Sequence, residues 1–523
     1  MKWIKRILKY VGIFLAVVIA LVGSVMFVAA RRSVIPDNLN MSSSDMSGMD
    51  MSNMPDMAMG TPSANATSIT SLVAPDNTNA PVKSFTLTAQ PGKLDLGNGK
   101  TLDTYTFNGT IPGPELRVRQ GDMVEVTLVN KLPVSTTIHW HGISVPNAED
   151  GVAGLTQDAV KPGASYTYRF IANEVGTYWY HSHQDTSTQL PLGLYGAIII
   201  EPKNQPVHYD RDYSVFLHEW GAQSHDGVQG FFVCHATCAE TLSMNDKLDK
   251  ALFAAKPGDT VRVRIANSGE EIHYPALVGV PFKVIALDGH DLNEPTDLNN
   301  KFLSVGPAQR YDISFVMPAS GSIALIDGDD RAEPVGQHPM AVFGDGSSTL
   351  SYPTNATPFD FTTYGTPAST KITLNSHFDA QYNMVLGTKP GFYNGNMTLT
   401  FPINDKTYPN IPSISVKPGD VVKIHMSNNG TFPIPHAMHI HGHYFTVLAH
   451  NSKPLSGSPV YLDTIYIEQG ETYDVAFLAD NPGLWMLHCH MVEHDAHGMD
   501  MMVNYPDIST PFTIGMASGN NPF

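Results

Sequence analysis

From about residue 84 onward the chain alternates between apolar and polar positions in short runs. Three stretches, 120–130, 257–267 and 418–428, each carry a Gly-Asp pair and then an apolar residue at every second position: Val124, Val126 and Leu128; Val261, Val263 and Ile265; Val422, Ile424 and Met426. A period of two after a turn signal predicts a half-buried β-strand. A second element also recurs three times, at 162–170, 307–315 and 469–477, each with a Tyr four residues before a Phe. Both elements come in the same order each time, so one unit is repeated rather than three unrelated domains joined. Short strands between frequent Gly and Pro predict β-sandwiches. The expected architecture is all-β, with units at 84–202, 203–365 and 366–523. Ahead of them, residues 10–30 are mostly apolar and uncharged and follow Lys2, Lys5, Arg6 and Lys9. A run of that length spans a bilayer. It exceeds the usual apolar core of a signal peptide. Residues 1–33 are therefore read as a signal-anchor transmembrane helix, with the N-terminus cytoplasmic and the remainder extracytoplasmic. Ala29 and Ala30 leave cleavage and secretion as the alternative.

Chemistry concentrates in four histidine segments. The last reads His488-Cys489-His490, with His494 and Met499 following. A Cys, two His and a weak Met are the ligand set of a blue-copper electron-transfer site, and Cys489, His494 and Met499 supply three of the four. On a strand, Cys489 faces one way while His488 and His490 face the other. The other segments are His139-Trp140-His141, His181-Ser182-His183 and His436-Ala437-Met438-His439-Ile440-His441. One His-x-His pair is weak evidence, because such pairs usually form polar surface; four ending in His-Cys-His are strong. Comparing the repeats sharpens this. His139-x-His141-Gly142 in the first unit matches His439-x-His441-Gly442 in the third, where the middle unit has Ala276-Leu277-Val278-Gly279. Five residues after a glycine come His181-Ser182-His183 in the first unit, His488-Cys489-His490 in the third and Ile326-Asp327-Gly328 in the middle. Units one and three thus donate four histidines each to a shared site at their interface. The middle unit donates none and reads as a spacer that also shapes a substrate cleft.

With these motifs, residues 84–505 resemble a three-domain multicopper oxidase of the laccase type. The resemblance implies three cupredoxin-like Greek-key sandwiches and four copper ions. By motif position, His436, Cys489, His494 and Met499 bind the blue copper, and His139 and His439 the second mononuclear one. His141, His181, His183, His441, His488 and His490 hold the copper pair, completing a trinuclear cluster that reduces dioxygen to water with four electrons from a small-molecule donor. A methionine at 499 implies a moderate potential, since high-potential fungal members have a non-coordinating residue there. Asp150 stands where the family commonly has a proton-relay acid. Asp495 stands where bacterial members usually have Glu, and its side chain is shorter. The bland reading of both is a solvated turn acid. His443, His450 and His497 fall off the ligand spacing, and Trp140 and Trp485 read as packing beside the ligands.

Composition narrows the rest. A net charge of −18 argues against nucleic acid, and 15% charged residues fits a compact protein rather than an acidic disordered one. Residues 34–83 read as a tether. Seven methionines fall within 41–60, and thioethers select Cu(I), so copper capture competes with a plain spacer. That favours a rival function, a cuprous oxidase, although no Met-rich insertion lies between His443 and Asp480. A copper-storage protein would not need cluster ligands split across two units, and a scaffold that had lost its coppers would not keep the full set. Cys234 and Cys238 read as a local disulfide in an oxidising compartment, with an accessory metal site including His235 as the alternative.

Overall fold

A computed structural model describes residues 2–42, 66–75, 79–97, 99–204, 208–220, 241–328, 340–346 and 350–523. Most of the Met-rich run, from 43 on, and both Cys234 and Cys238 lie outside these residues.

The three repeats form the same frame. In each, the strand with period-two alternation lies between a parallel and an antiparallel neighbour. Met123–Asn130 pairs with Val82–Gly97 and Ser165–Ile171. Thr260–Asn267 pairs with Arg211–Trp220 and Arg310–Val316. Val421–Asn428 pairs with Ala380–Leu386 and Thr472–Leu478. Each frame sheet packs on a second sheet, and in the first and third units that second sheet carries the histidine strands. His139–His141 runs antiparallel to Gly176–His181, with His139 opposite His181. His436–Ile440 runs antiparallel to Leu484–Cys489, with His439 opposite His488. In the middle unit Ala276–Val278 pairs with Ile323–Ile326 in the same place, so the fold repeats where the ligands do not. The histidine strands are buried along their whole length, as expected where a sheet is covered on both faces.

Units one and three are locked together around these strands. The Asn147 amide brackets residue 484, its Nδ2 donating to the Leu484 carbonyl (2.9 Å) and its Oδ1 accepting from the Leu484 N–H (3.0 Å). The C-terminal segment clasps the first unit: the Thr186 hydroxyl donates to the Pro522 carbonyl, and Asn520 Oδ1 accepts from the Ala159 N–H.

Before the first unit, helix Lys2–Arg32 is long and apolar enough to cross a membrane and has none of its apolar window buried in the body. The described ends of the 34–83 segment are packed. Leu39 and Met41 are buried, Leu39 bridges Ile514, and Thr67–Ser68 adds a parallel strand beside Ile508–Ser509. Composition alone gave no sign of this, because the contacts are made by scattered side chains and backbone groups within 35–42 and 67–74.

Candidate metal centre

Cys489 ends a fully buried strand, and its thiol faces a pocket away from the neighbouring histidines. His436 and His494 enter that pocket. Their Nδ1 atoms lie 3.2 Å apart, and His494 Nδ1 is 3.4 Å from the sulfur. The Ala437 N–H also points at the sulfur, at 3.4 Å. Helix Val492–Ala496 turns the chain back so that His494 returns to the cysteine five residues before it. Gly498 then makes the reversal at φ 105, where an added Cβ would come within 2.7 Å of Thr407 Cβ; only glycine fits both demands. This brings Met499, itself fully buried, alongside, its carbonyl accepting from the Cys489 N–H (3.0 Å). Phe401 stacks on His494, with centroids 3.9 Å apart. Burial lowers the His436 imidazole to about 3 and pushes the Cys489 thiol up to about 12. The two imidazoles bring their nitrogens together beside a thiol that burial keeps protonated. A cation between them would satisfy the lone pairs and ionise the sulfur.

On the other face of the same strand, eight histidines close a chamber. His139, His141, His181, His183, His439, His441, His488 and His490 are each at most 1% exposed. Nitrogens of His139, His141 and His181 converge within 4.8 Å of one another, as do those of His139, His439 and His441, and of His183, His441 and His488. His490 joins through Nε2, 3.4 Å from His181 Nε2. In six of the eight the outer nitrogen faces an acceptor, which sets the tautomer. His139, His181, His439 and His488 point Nδ1 at the carbonyls of Asp150, Ser182, Asp463 and Cys489. His441 gives Nδ1 to Asp150 and His141 gives Nε2 to Asp463. The inward nitrogens are therefore bare lone pairs. Those of His441 and His488 face each other at 3.1 Å. Among the described residues, His139 Nε2, His141 Nδ1, His439 Nε2 and both nitrogens of His183 have no hydrogen-bond partner. Burial first, and then the neighbouring imidazoles, hold His141, His181, His183, His441 and His490 well below the usual histidine range. Buried, unpaired acceptors crowded this closely are costly, and divalent metal ions are the partners such a donor set fits.

Three family models described as multicopper oxidase match the chain, at residues 88–205, 212–324 and 381–508. The chain belongs to the multicopper oxidase family. The multicopper oxidase MmcO of Mycobacterium tuberculosis is 28% identical over 464 residues, covering 80% of this chain and 86% of that one. Laccase-1 of Botryotinia fuckeliana is 29% identical over 492 residues, covering 84% and 85%. The crystal structure of a multicopper oxidase from Pseudomonas thermotolerans superposes with a TM-score of 0.65 at 26% identity, over 82% of this chain and all of that one. Multicopper oxidases are copper-dependent oxidoreductases with dioxygen as acceptor, and they bind four coppers, one blue and three in a cluster.

In this multicopper oxidase two aspartates organise the chamber in matching ways. Asp150 accepts from His139 of its own unit through its carbonyl (2.9 Å) and from His441 of the third unit through Oδ2 (2.9 Å). Asp463 accepts from His439 of its own unit through its carbonyl (2.9 Å) and from His141 of the first unit through Oδ1 (3.0 Å). His139 stacks on His441, and His141 on His439, with centroids 3.9 and 3.7 Å apart. The two aspartates differ in their outer partners. Asp463 meets the fully buried Arg310 in a forked pair, 2.7 and 2.5 Å. Burial opposes its ionisation, yet Arg310 and then His141 hold its carboxyl well below the carboxylate range. Asp288, 3.4 Å from Arg310, is raised to about 7 by burial and by the Asp463 charge. Among the described residues Asp150 meets no Arg or Lys. Its Oδ1 lies 3.1 Å from His139 Nδ1, but that N–H points at the carbonyl and leaves Oδ1 without a hydrogen bond.

Arg310 and Asp288 belong to the middle unit, so the spacer reading missed their part in the chamber. The signal was present: Arg310 stands in the repeat where the other copies have Ser165 and Thr472. Asp495 is buried, and its Oδ2 lies 3.4 Å from His488 Nδ1. Burial raises its carboxyl, partly countered by His488. Of the off-spacing histidines, His443 is buried and sits 3.0 Å from the Tyr505 hydroxyl, outside the chamber. Trp140 packs on Tyr168 and Phe170, and Trp485 against His443.

Proposed function

We propose that this oxidase couples four one-electron oxidations of a reducing substrate, such as a phenol or aromatic amine, to the reduction of dioxygen to two waters. The observation that carries the reading is the strand ending at Cys489. It puts a thiol in a one-cysteine, two-histidine pocket and the flanking imidazoles of His488 and His490 in the eight-histidine chamber. His436, Cys489, His494 and Met499 would hold the blue copper. His139 and His439 would hold the second mononuclear ion, and His141, His181, His183, His441, His488 and His490 the pair. Copper held there would supply one-electron redox chemistry at the cysteine site and four-electron reduction of dioxygen at the histidine chamber. The backbone of residues 488–490 is the covalent link between the two pockets. Asp150 would carry protons toward the chamber, since its Oδ1 is uncommitted and its Oδ2 touches His441. Asp495, beside His488, would serve from the other side.

A cuprous oxidase is the second reading. Met41, where the Met-rich run begins, is buried with its sulfur 3.2 Å from the Tyr408 hydroxyl, and the Tyr408 N–H donates to the Gly498 carbonyl next to Met499 (2.9 Å). Oxygen uptake by copper-loaded protein, with a phenol or Cu(I) as sole donor, separates the two. Absence of uptake with either donor refutes the oxidase reading.

The N-terminal helix is read as an uncleaved anchor with the catalytic units outside the cell. The mass of the membrane-bound protein tests this; a chain starting near Arg31 sinks it.

A further inference from the structure

The membrane-length helix does not lead into a free linker. It ends at Arg32, and the next residue is already tied to the body. The Ser33 carbonyl accepts from the Asn394 N–H (2.9 Å), and the Ser33 hydroxyl accepts from the Gly395 N–H (3.0 Å). The Ile35 N–H donates to Asn394 Oδ1 (3.3 Å). Asn394 and Gly395, at φ 45 and 82, are the two-residue turn of a hairpin formed by Lys389–Tyr393 and Asn396–Thr400, as Asn-Gly favours. The hairpin's second strand leads directly to Phe401, which stacks on His494. One hairpin therefore joins the helix end to the edge of the cysteine pocket.

Between them lies a cavity of about 640 Å³. Ile35 closes one side, Tyr393, Asn396 and Met397 of the hairpin another, and His497, three residues after His494, a third. Among the described residues that line it there is no Asp, Glu, Lys or Arg. Its lining is mainly amide, hydroxyl and imidazole groups, with Ile35, Met397 and Phe523 as apolar members, which suits a neutral molecule that both hydrogen-bonds and carries an apolar part better than an ion.

The helix fixes where this cavity sits. The uncharged residues 10–30 extend about 32 Å as a helix, close to the hydrocarbon thickness of about 30 Å. Arg31 and Arg32 then fall among the headgroups, and Ser33 with them. The hairpin turn, hydrogen-bonded to Ser33, shares that depth. Exposed apolar side chains cluster on the same face. Val34 is 49% and Met397 53% exposed. Met516 is 88% exposed, on the loop whose Ala517 N–H donates to the Asp37 carbonyl.

We propose that the body rests on the outer membrane surface through this face, and that the cavity lined by Ala496 and His497 takes its donor from the lipid, as a membrane-dissolved hydroquinone. The inference rests on the oxidase and anchor readings above. Two hydroquinones each lose two electrons and their two hydroxyl protons and become quinones. One dioxygen takes the four electrons and four protons and becomes two waters.

The test uses the full-length copper-loaded protein in phosphatidylcholine vesicles. It compares a long-chain, lipid-confined hydroquinone with a water-soluble hydroquinone sulfonate. In one variant a ten-residue Gly/Ser insertion between Arg32 and Ser33 frees the body from the helix while leaving the Ser33 contacts in place. The expected result is a loss of roughly tenfold or more with the lipid-confined donor and an unchanged rate with the soluble one. Met516→Asp, at a fully exposed side chain, gives the same comparison independently of the insertion. Equal lipid-donor rates in wild type and both variants overturn the membrane-docking inference while leaving the oxidase reading intact. No oxygen uptake with either donor brings down the oxidase reading itself. A membrane-bound mass lacking the first 30 residues brings down the anchor, and both of these also overturn the proposal.

Discussion

Arg310→Met tests whether the middle unit organises a cluster to which it gives no ligand. Arg310 reaches all three units. Nε donates to the Thr177 carbonyl of the first (3.2 Å), Nη1 to the Ala308 carbonyl of its own (3.2 Å), and the fork to Asp463 of the third. Methionine keeps much of the bulk and removes the cation. The Asp463 carboxylate, 1% exposed, would keep contacts from His141 and the Thr464 hydroxyl, and its N–H would still donate to Asp288 Oδ2, but no positive charge would remain beside it. Breaking a buried pair by deleting one partner costs about 3–5 kcal/mol. The orientation of His141 and His439 goes with it, and losing such support for a ligand lowers metal affinity about 10–100-fold, or roughly 1.4–2.7 kcal/mol. The assay is copper content after dialysis against a graded chelator, read with the blue absorption. The variant should give up cluster copper at about tenfold or more weaker chelation while keeping its blue colour, because the Cys489 pocket has no contact with Arg310. Arg310→Met combined with Asp463→Asn removes both charges. It should recover stability in urea without recovering cluster copper, separating the electrostatic cost from the positioning. Copper retention equal to wild type in Arg310→Met, with an unchanged urea midpoint, would refute the reasoning.

Other perturbations separate the remaining parts. Asp150→Asn should slow reoxidation of the reduced enzyme by oxygen by about 10²–10⁴-fold and leave blue-copper reduction alone in stopped-flow; normal reoxidation removes Asp150 from proton transfer. Cys489→Ser should bind three coppers, show no blue absorption and oxidise no organic donor, and retained turnover would contradict the wiring through residue 489. In copper-free protein, burial lowers His443 to about 4, so the unfolded chain takes up that proton first as pH falls. Stability should therefore be full above about pH 6.5 and decline toward pH 4, by about 3 kcal/mol for this group alone. A urea midpoint that does not move between pH 7.5 and 4.5 would show that His443 is not buried neutral.

Much of this was legible in the chain because it is local. A period of two after a Gly-Asp turn fixes a strand, and His-x-His on that strand fixes two rings on one face. The offset from Gly483 to His488, equal to that from Gly176 to His181, places both pairs at the same height in their sandwiches. What crosses between units left little trace. The carboxylate of Asp463 serves His141, 322 residues away, and nothing in the spacing of either residue points to the other. Arg310 was visible only as a charged residue in a repeat position otherwise held by Ser165 and Thr472. The docking of the helix end depends on backbone groups of Ser33, Asn394 and Gly395, and backbone groups have no sequence signature beyond the Asn-Gly turn itself.

The chamber is close to symmetric, and its departures from symmetry are where the chemistry becomes directional. Units one and three supply matching His-x-His strands, matching stacked rings and matching aspartates, each holding one histidine of its own unit by a carbonyl and one of the other unit by a carboxylate. Two substitutions break the match. Cys489 replaces the equivalent of Ser182, which connects one side of the chamber to a second pocket. Arg310, brought in by the unit without ligands, neutralises Asp463, while among the described residues Asp150 meets no Arg or Lys. A carboxylate clamped at both oxygens by a guanidinium holds geometry and cannot easily accept a proton, whereas Asp150 keeps one oxygen free of hydrogen bonds while the other touches the buried His441. On the proposed function, this asymmetry would give electrons one route into the chamber, through residue 489, and would leave proton work to Asp150 rather than to its near-equivalent Asp463.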